Sequence, residues 1–250
     1  MPDAIADAVS KLPRPVITAL QNTPIDDLYQ YSRYLTVDVR EIRLTKGSTT
    51  ESLYAPKRSH LYRILGRGDE YEPQLTAAIS DEFDADDTFY DVGSQFGYFT
   101  TLAKACGVPD DRIHGFEAND YHYRVLNRTH ATDGASITHA YVGERTTAEM
   151  LALEAYDGDA PSVVKIDVEG YEYNVLRGMG EKLDDVRCLF VEIHPKFLAR
   201  ANDTPRDVFE LLQDEGFELT ATEHREENTW ESLSDAKLPQ DHAYLLRAKR

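Results

Sequence analysis

Two cysteines, one tryptophan and three methionines among 250 residues leave this sequence short of several kinds of chemistry. Cys106 and Cys188 stand far apart with no C-x-x-C pair, so the thiols alone cannot hold a zinc ion and no disulfide framework is available. Each reads as a small buried apolar residue in a reducing compartment. Long hydrophobic runs are missing too: nothing approaches the roughly 20 apolar residues that span a bilayer, so no membrane-embedded segment is expected. Met1 to Leu20 has neither the basic start nor the apolar centre of a secretory signal, which makes the cytoplasm the expected location. Positive charge is scarce. With 27 Lys and Arg against 45 Asp and Glu the formal net charge is −18, and a nucleic-acid backbone would meet no cationic surface. The acids are spread over loops and helix faces, as in Asp81–Asp87, Asp184–Asp185 and Glu226–Glu227, which fits a halophilic cytoplasm or, more plainly, an acidic protein of ordinary surroundings. The run at Asp81 lacks the alternating ligands and glycine of a calcium loop and reads as a solvated face.

The chain is organised around Phe89 to Thr100, a buried strand running into a glycine turn and then a helix. That construction sets backbone N–H groups and a helix N-terminus against a nucleotide-like ligand. Gly93 and Gly97 let the main chain bend and approach closely, and Asp91 at the strand end can accept hydrogen bonds from a cationic or hydroxyl-bearing group. Ile113 to Glu117 reads as the next strand, closing in a carboxylate about 20 residues beyond the turn, the spacing at which an acid in a doubly wound sheet reaches a ribose diol. Taken together, the turn and the acid suggest an adenosine moiety.

Elsewhere the punctuation is regular. Short helices broken by Pro13, Pro15 and Pro24 are expected before Leu35, then a hairpin from the period-two stretch Val37–Leu44 and Glu51–Ala55, a short helix at Leu61–Gly66 and a helix from Pro73 through Phe83. Helices are expected at Tyr121–Thr132, Thr146–Tyr156 and Glu172–Gly180, and one after Thr204–Pro205. Strands are expected at Ile137–Val142, Ser162–Asp167 and Cys188–His194, with a closing pair at Phe217–Thr222 and His242–Ala248. This alternation predicts an α/β fold with a mostly parallel sheet, residues 1–70 forming an N-terminal elaboration and 71–250 the main domain. Because ligands bind outside the carboxyl ends of such strands, Asp91, Glu117, Asp167, Glu192 and His194 are brought to one crevice.

Asp91–Phe99, Gly115–Asn119, Lys165–Glu172 with Val175–Gly178, and Val191–Pro195 resemble the successive motifs of the FkbM-type S-adenosylmethionine-dependent methyltransferases, over roughly Tyr71 to Pro195. The resemblance implies a class I methyltransferase (Rossmann-like) fold, a doubly wound seven-stranded sheet whose last strand is antiparallel, with S-adenosylmethionine as cofactor. By position it places Asp91, Gly93 and Gly97 on the methionine portion, with Ser94, Gln95 and Tyr98 in the same turn; Glu117 on the ribose; and Asn119, Tyr141 and Val142 beside the adenine. Ser94-Gln95 replaces the more usual Ala-Asn, and the stretch from Val142 to Ser162 is short for the family. Asp167 would face the sulfonium and the acceptor.

Methyl transfer is an in-line displacement, so alignment is most of the task. A hydroxyl acceptor must also lose a proton, for which His194 is the natural base and Asp167 the other candidate to orient or deprotonate. Asp167, Glu192 and His194 could alternatively hold a divalent metal. Glu169 either contacts substrate or bonds to the start of the following helix, Glu72 helps close the site, and Lys165 and Arg177 read as structural. The family implies O-methylation of a hydroxyl on a sugar, glycan or related small metabolite. Two other classes remain: an NAD-dependent oxidoreductase, which would prefer G-x-G-x-x-G where this turn has Gln95, and a non-catalytic nucleotide-binding module, which would have no need of the strand-end acids.

Overall fold

The computed structural model describes residues 38–223, 230–235 and 238–250; the helices expected before Leu35 lie outside them. The predicted hairpin is present as β1 (Val39–Lys46) and β2 (Thr49–Pro56), paired antiparallel. It is followed by α1 (His60–Leu65) and α2 (Pro73–Ser80). The central elements then alternate: β3 (Phe89–Val92), α3 (Tyr98–Ala105), β4 (Ile113–Glu117), α4 (Asp120–Thr129), β5 (Ser136–His139), the short pair β6 (Tyr141–Val142) and β7 (Met150–Leu151), β8 (Val163–Ile166), α5 (Glu172–Arg177), β9 (Cys188–Ile193), α6 (Pro195–Leu198), α7 (Pro205–Asp214), β10 (Glu218–Thr222), β11 (Glu231–Ser232) and β12 (Tyr244–Lys249). The main sheet runs β11-β10-β12-β9-β8-β3-β4-β5. Strands β5, β4, β3, β8 and β9 are parallel, and β12 is antiparallel to both β9 and β10. The two-residue β11 makes this an eight-stranded sheet where seven strands were expected.

Strand residues alternate between two cores, as the period of two requires. Tyr90, Val92, Phe116, Val164, Ile166, Val191 and Ile193 face α5 and α7. Phe89, Ile113, Val163 and Phe190 face α2, α3 and α4. Burying an aliphatic or aromatic side chain of this size is worth about 1.5–3 kcal/mol, so both faces must be covered. α3 is buried at seven of its eight positions, Lys104 excepted, and a helix apolar all round needs partners on every side. The hairpin supplies the outer one, placing Leu44, Leu53 and Ala55 in the same core as Phe99 and Leu102. Lys104 escapes to Asp133, Asp110 and Glu51, at 3.1, 3.4 and 3.7 Å.

Several boundaries differ from the sequence expectation, with local causes. α2 stops at Ser80, whose hydroxyl bonds back to the Thr76 carbonyl, and α5 stops before Gly178 and gives way to a 3-10 turn over Gly180–Asp185. The strand expected over 137–142 divides, because the Ala140 amide bonds to the Glu117 carbonyl (3.2 Å) and Tyr141–Val142 leaves to pair with β7. Residues 146–156, expected to be helical, instead form β7 and a 3-10 turn at Leu153–Ala155. Thr147 accepts the Glu149 and Met150 amides and Thr146 the Ala152 amide, bonds that compete with a helix. The start expected at Thr204 is a full capping box: the Asp207 amide donates to Thr204 and the Thr204 amide to Asp207.

Candidate active site

Asp91, Glu117, Lys165, Asp167 and Glu192 all fall on the alternate positions of their strands, the parity of Phe89, Ile113, Val163 and Phe190, near or just past the carboxyl ends. Asp91 and Lys165 are register partners on adjacent strands. Asp91 is wholly buried, and its Oδ1 accepts from Lys165 Nζ at 3.2 Å. The same ammonium donates to the Gly93 carbonyl (3.2 Å), stands 3.8 Å from Asp167 Oδ2 and lies 5.2 Å from the centre of the Phe99 ring. Burial opposes its charge, but Asp91, Asp167 and Glu72 outweigh that and hold it firmly protonated. Burial also pushes the Asp91 carboxyl up, against the pull of Lys165. The other oxygen, Asp91 Oδ2, is buried with no hydrogen-bond partner. Lys165, expected to be structural, is paired with Asp91 beside Asp167; the signal for such a pair was a lysine inside an apolar strand, since a buried ammonium has to be paired.

The turn after β3 is built by its glycines. Gly93 has φ +84°, and a Cβ there would lie 1.8 Å from the Asp167 carbonyl oxygen, so the chain after β8 presses directly on it. Gly97, at φ +86°, faces Leu126 in the same way and starts α3. Between them Ser94 uses its hydroxyl to join β3 to β4, donating to the Asp91 carbonyl (2.7 Å) and accepting from the Phe116 amide (3.1 Å). Gln95 is exposed and left-handed at φ 49°. Its amide donates to Glu117 Oε2 at 2.8 Å, and the Asn119 amide donates to Oε1 at 2.7 Å. Glu117 thus ties the turn to the end of β4; burial raises its carboxyl to about 7 against those bonds. The Asn119 side chain caps α4 through the His122 amide. Tyr98 is buried, its hydroxyl 3.2 Å from Thr76 Oγ1. Tyr141 is 52% exposed while its neighbour Val142 is buried in the core.

On the other side of Asp167 a second group converges. Its carboxylate, Glu192 and His194 bring ligand atoms within 4.8 Å of one another. His194 Nδ1 lies 2.8 Å from Glu172 Oε1, and Nε2 lies 3.2 Å from Glu192 Oε1. Burial disfavours the imidazolium, but the two carboxylates prevail and raise His194 to about 10. Asp167 is raised to about 7, mainly by burial and then by Glu192 and Glu72, against Lys165 and His194. Three donors at this separation could surround a single ion, while the Lys165 ammonium adjoins Asp167 and the His194 ring lies between two carboxylates.

Glu72, left-handed at φ 43°, and Tyr71 form the wall contributed by the segment before α2. The Tyr71 hydroxyl is driven up by burial, then by Glu72, to which it is hydrogen-bonded, and by Asp167 and Glu192. Its ring meets Tyr98 edge-on at 5.0 Å. Glu169 is exposed at φ 49°, and the residue that bonds to the turn backbone is Glu172, through the Gly170 amide at 2.9 Å. Arg177 pairs with Glu144 at 2.8 Å, away from this group. Glu172 and Tyr71 were missed in the sequence because nothing local marks which helix-start acid or which tyrosine turns inward.

Comparison with known proteins bears on the family and the fold. The chain is 28% identical over 173 residues, 57% of its length and 68% of the relative's, to the hexuronic acid methyltransferase AglP of Haloferax volcanii. Its fold is similar to the methyltransferase FkbM of Methylobacillus flagellatus, with a TM-score of 0.50 and 15% identity over 75% of this chain and 53% of that one. It is also similar to a TehB-like SAM-dependent methyltransferase of Corynebacterium glutamicum, at 0.47 and 10% over 76% and 94%. Residues 70–219 match the methyltransferase FkbM domain, and with the strand order and strand-end acids above, the chain belongs to the FkbM methyltransferase family.

Proposed function

We propose that this protein moves a methyl group from S-adenosylmethionine to a hydroxyl oxygen of a sugar, a glycan or a related small metabolite. The observation that carries the cofactor assignment is Asp91 Oδ2, a buried carboxylate oxygen with no partner at the glycine turn. An ammonium such as that of the cofactor's amino-acid end satisfies it. Glu117, held at both oxygens by backbone N–H groups, keeps lone pairs for ribose hydroxyls. Of the residues expected beside the adenine, Tyr141 is exposed and can border it, whereas the Val142 side chain is buried in the core and the Asn119 side chain caps α4. The bound cofactor supplies a methyl carbon made electrophilic by its sulfonium.

On the acceptor side the chain has to orient a hydroxyl and take its proton. His194 lies between Glu172 and Glu192, whose carboxylates favour its protonated form, and that form has no free ring lone pair. Asp167 has one, and a carboxyl near 7 is matched to proton transfer at neutral pH. Asp167 would take the proton of an acceptor hydroxyl held in line with the methyl group, and the bound cofactor would supply that methyl with its sulfur leaving as a neutral thioether. Glu192, Glu72 and the adjoining Glu169 suit the hydroxyls of a polyol, and the likeness to a hexuronic acid methyltransferase supports a saccharide.

Calorimetric titration in high salt tests this. S-adenosylmethionine should bind and NAD should not, and Asp91→Asn should weaken binding by about 10- to 100-fold, the worth of one charge-assisted hydrogen bond. Methyl transfer to neutral and uronic sugars should then be unaffected by EDTA. Binding of NAD instead, or no S-adenosylmethionine binding by a protein shown to be folded, overturns the assignment.

A further inference from the structure

The acceptor side of the site carries Glu72, Asp167 and Glu192 within it and an exposed Glu169 two residues after Asp167. Beyond β9 the charge changes sign. The His194 ring stacks on the Phe197 ring of α6, centroids 5.7 Å apart and 16° from parallel. The turn that follows Asp167 presses on the same residue: Gly170 has φ +107°, and a Cβ on it would come within 2.6 Å of the Phe197 main chain. Phe197 is thereby fixed against the site. Arg200, three positions on, lays its guanidinium over the Phe197 ring, 4.5 Å from the centroid, so a single aromatic ring joins this cation to the imidazole. Arg200 is exposed, and among the described residues it pairs with no carboxylate, although the chain carries 45 Asp and Glu. The nearest acid in sequence, Asp203, instead accepts from Asn174 Nδ2 at 2.7 Å. Lys196, four positions before Arg200, is exposed and likewise without an ion pair among the described residues.

We propose that Arg200, supported by Lys196, is the anion-binding end of the acceptor site, and that the acceptor is a saccharide bearing an oxyanion, a carboxylate or a phosphate. This rests on the methyltransferase reading above and narrows its acceptor. In a chain of net charge −18 a surface arginine has many carboxylates within reach of its sequence neighbourhood. One held on an aromatic ring with its N–H donors uncommitted is preorganised for an anion from outside. The planar guanidinium meets a carboxylate or a phosphate with two parallel N–H···O bonds. Lys196 adds a second positive charge that needs no fixed geometry. Charge also decides where the oxyanion lies. Glu72, Asp167 and Glu192 repel it from the methyl-accepting end, so it occupies the far end of the sugar, over Arg200 at the rim.

The test is titration of the protein, loaded with S-adenosylhomocysteine, with glucuronic acid, glucose 1-phosphate and neutral methyl glucoside. In the parent at least one anionic sugar should bind about tenfold or more tightly than the neutral one, the worth of a charge-assisted contact. The tighter of the two anions identifies carboxylate or phosphate as the source. Arg200→Met, which keeps an unbranched side chain over Phe197, should erase that preference, and Arg200→Lys should restore part of it. Affinity for methyl glucoside and for S-adenosylhomocysteine should stay unchanged in both variants, as should thermal melting; an arginine that only packs on Phe197 would not give this selective loss. In methyl transfer the loss should fall on KM and leave kcat within about twofold. Equal binding of charged and neutral sugars by the parent, no binding of either anionic sugar, or a preference that survives Arg200→Met overturns the proposal. Failure of the parent to bind S-adenosylmethionine strikes the methyltransferase reading instead.

Discussion

Replacing Lys165 by Met removes the cation between Asp91 and Asp167 and sets an apolar chain end toward the Phe99 ring, near which the ammonium now lies. Asp91 has no exposed surface, and among the described residues Lys165 is the side chain that forms an ion pair with it. Taking one partner from a buried pair costs about 3–5 kcal/mol, because the remaining charge is stranded. With a urea slope of about 2–3 kcal/mol per M, the midpoint should fall by about 1–2 M. The sign of the pH dependence follows. Without Lys165 the Asp91 carboxyl moves further above its ordinary range, so at lower pH it takes a proton and the stranded charge disappears; the deficit should be larger at pH 8 than at pH 5.5. The double variant Lys165→Met/Asp91→Asn, neutral at both sites, should recover at least half of the loss. Urea unfolding of the four proteins at both pH values decides it. A deficit below about 1 kcal/mol at pH 8, or a double variant no more stable than the single one, would refute the reasoning.

Two further outcomes are expected. Gly93→Ala should abolish S-adenosylmethionine binding and lower thermal stability, since its Cβ would fall 1.8 Å from the Asp167 carbonyl in a left-handed conformation; a variant with parental melting and affinity contradicts this packing. Glu117 and Asp167, both raised to about 7, keep protons that the unfolded chain has already released, so each lowers stability as pH rises from the ordinary carboxylate range to about 7. Each contributes a slope of at most about 1.4 kcal/mol per pH unit. Glu117→Gln should therefore lose stability less steeply than the parent between pH 5 and 7, and equal slopes in urea titrations would count against the raised Glu117 value.

The parallel strands were legible because each is a short apolar run closed by an acid or a turn, and the strand-end rule then gathered Asp91, Glu117, Asp167, Glu192 and His194. Residues 146–156 were not, because the hydrophobic spacing of Met150, Leu151 and Leu153 suits a helix while the bonds that prevent it come from Thr146 and Thr147 side chains. His194 was named as a candidate site residue, but its contact with Glu172, 22 positions away in sequence, is brought about only by the fold. Lys165 was set aside because its partner across the sheet is fixed by register, which a single strand does not display.

The parity of the site has a consequence for assembly of the sheet. On β8, Lys165 and Asp167 alternate with Val164 and Ile166, so a slip by one residue against β3 would turn the ammonium and the carboxylate into the aliphatic layer beneath α5 and α7. Each would lie there without its counterpart, at several kcal/mol apiece. Parallel strands rich in Val and Ile have little else to tell one alignment from the next. The charged set at the crevice thus serves as a proofreading mark, penalising misaligned sheets before any ligand has been met.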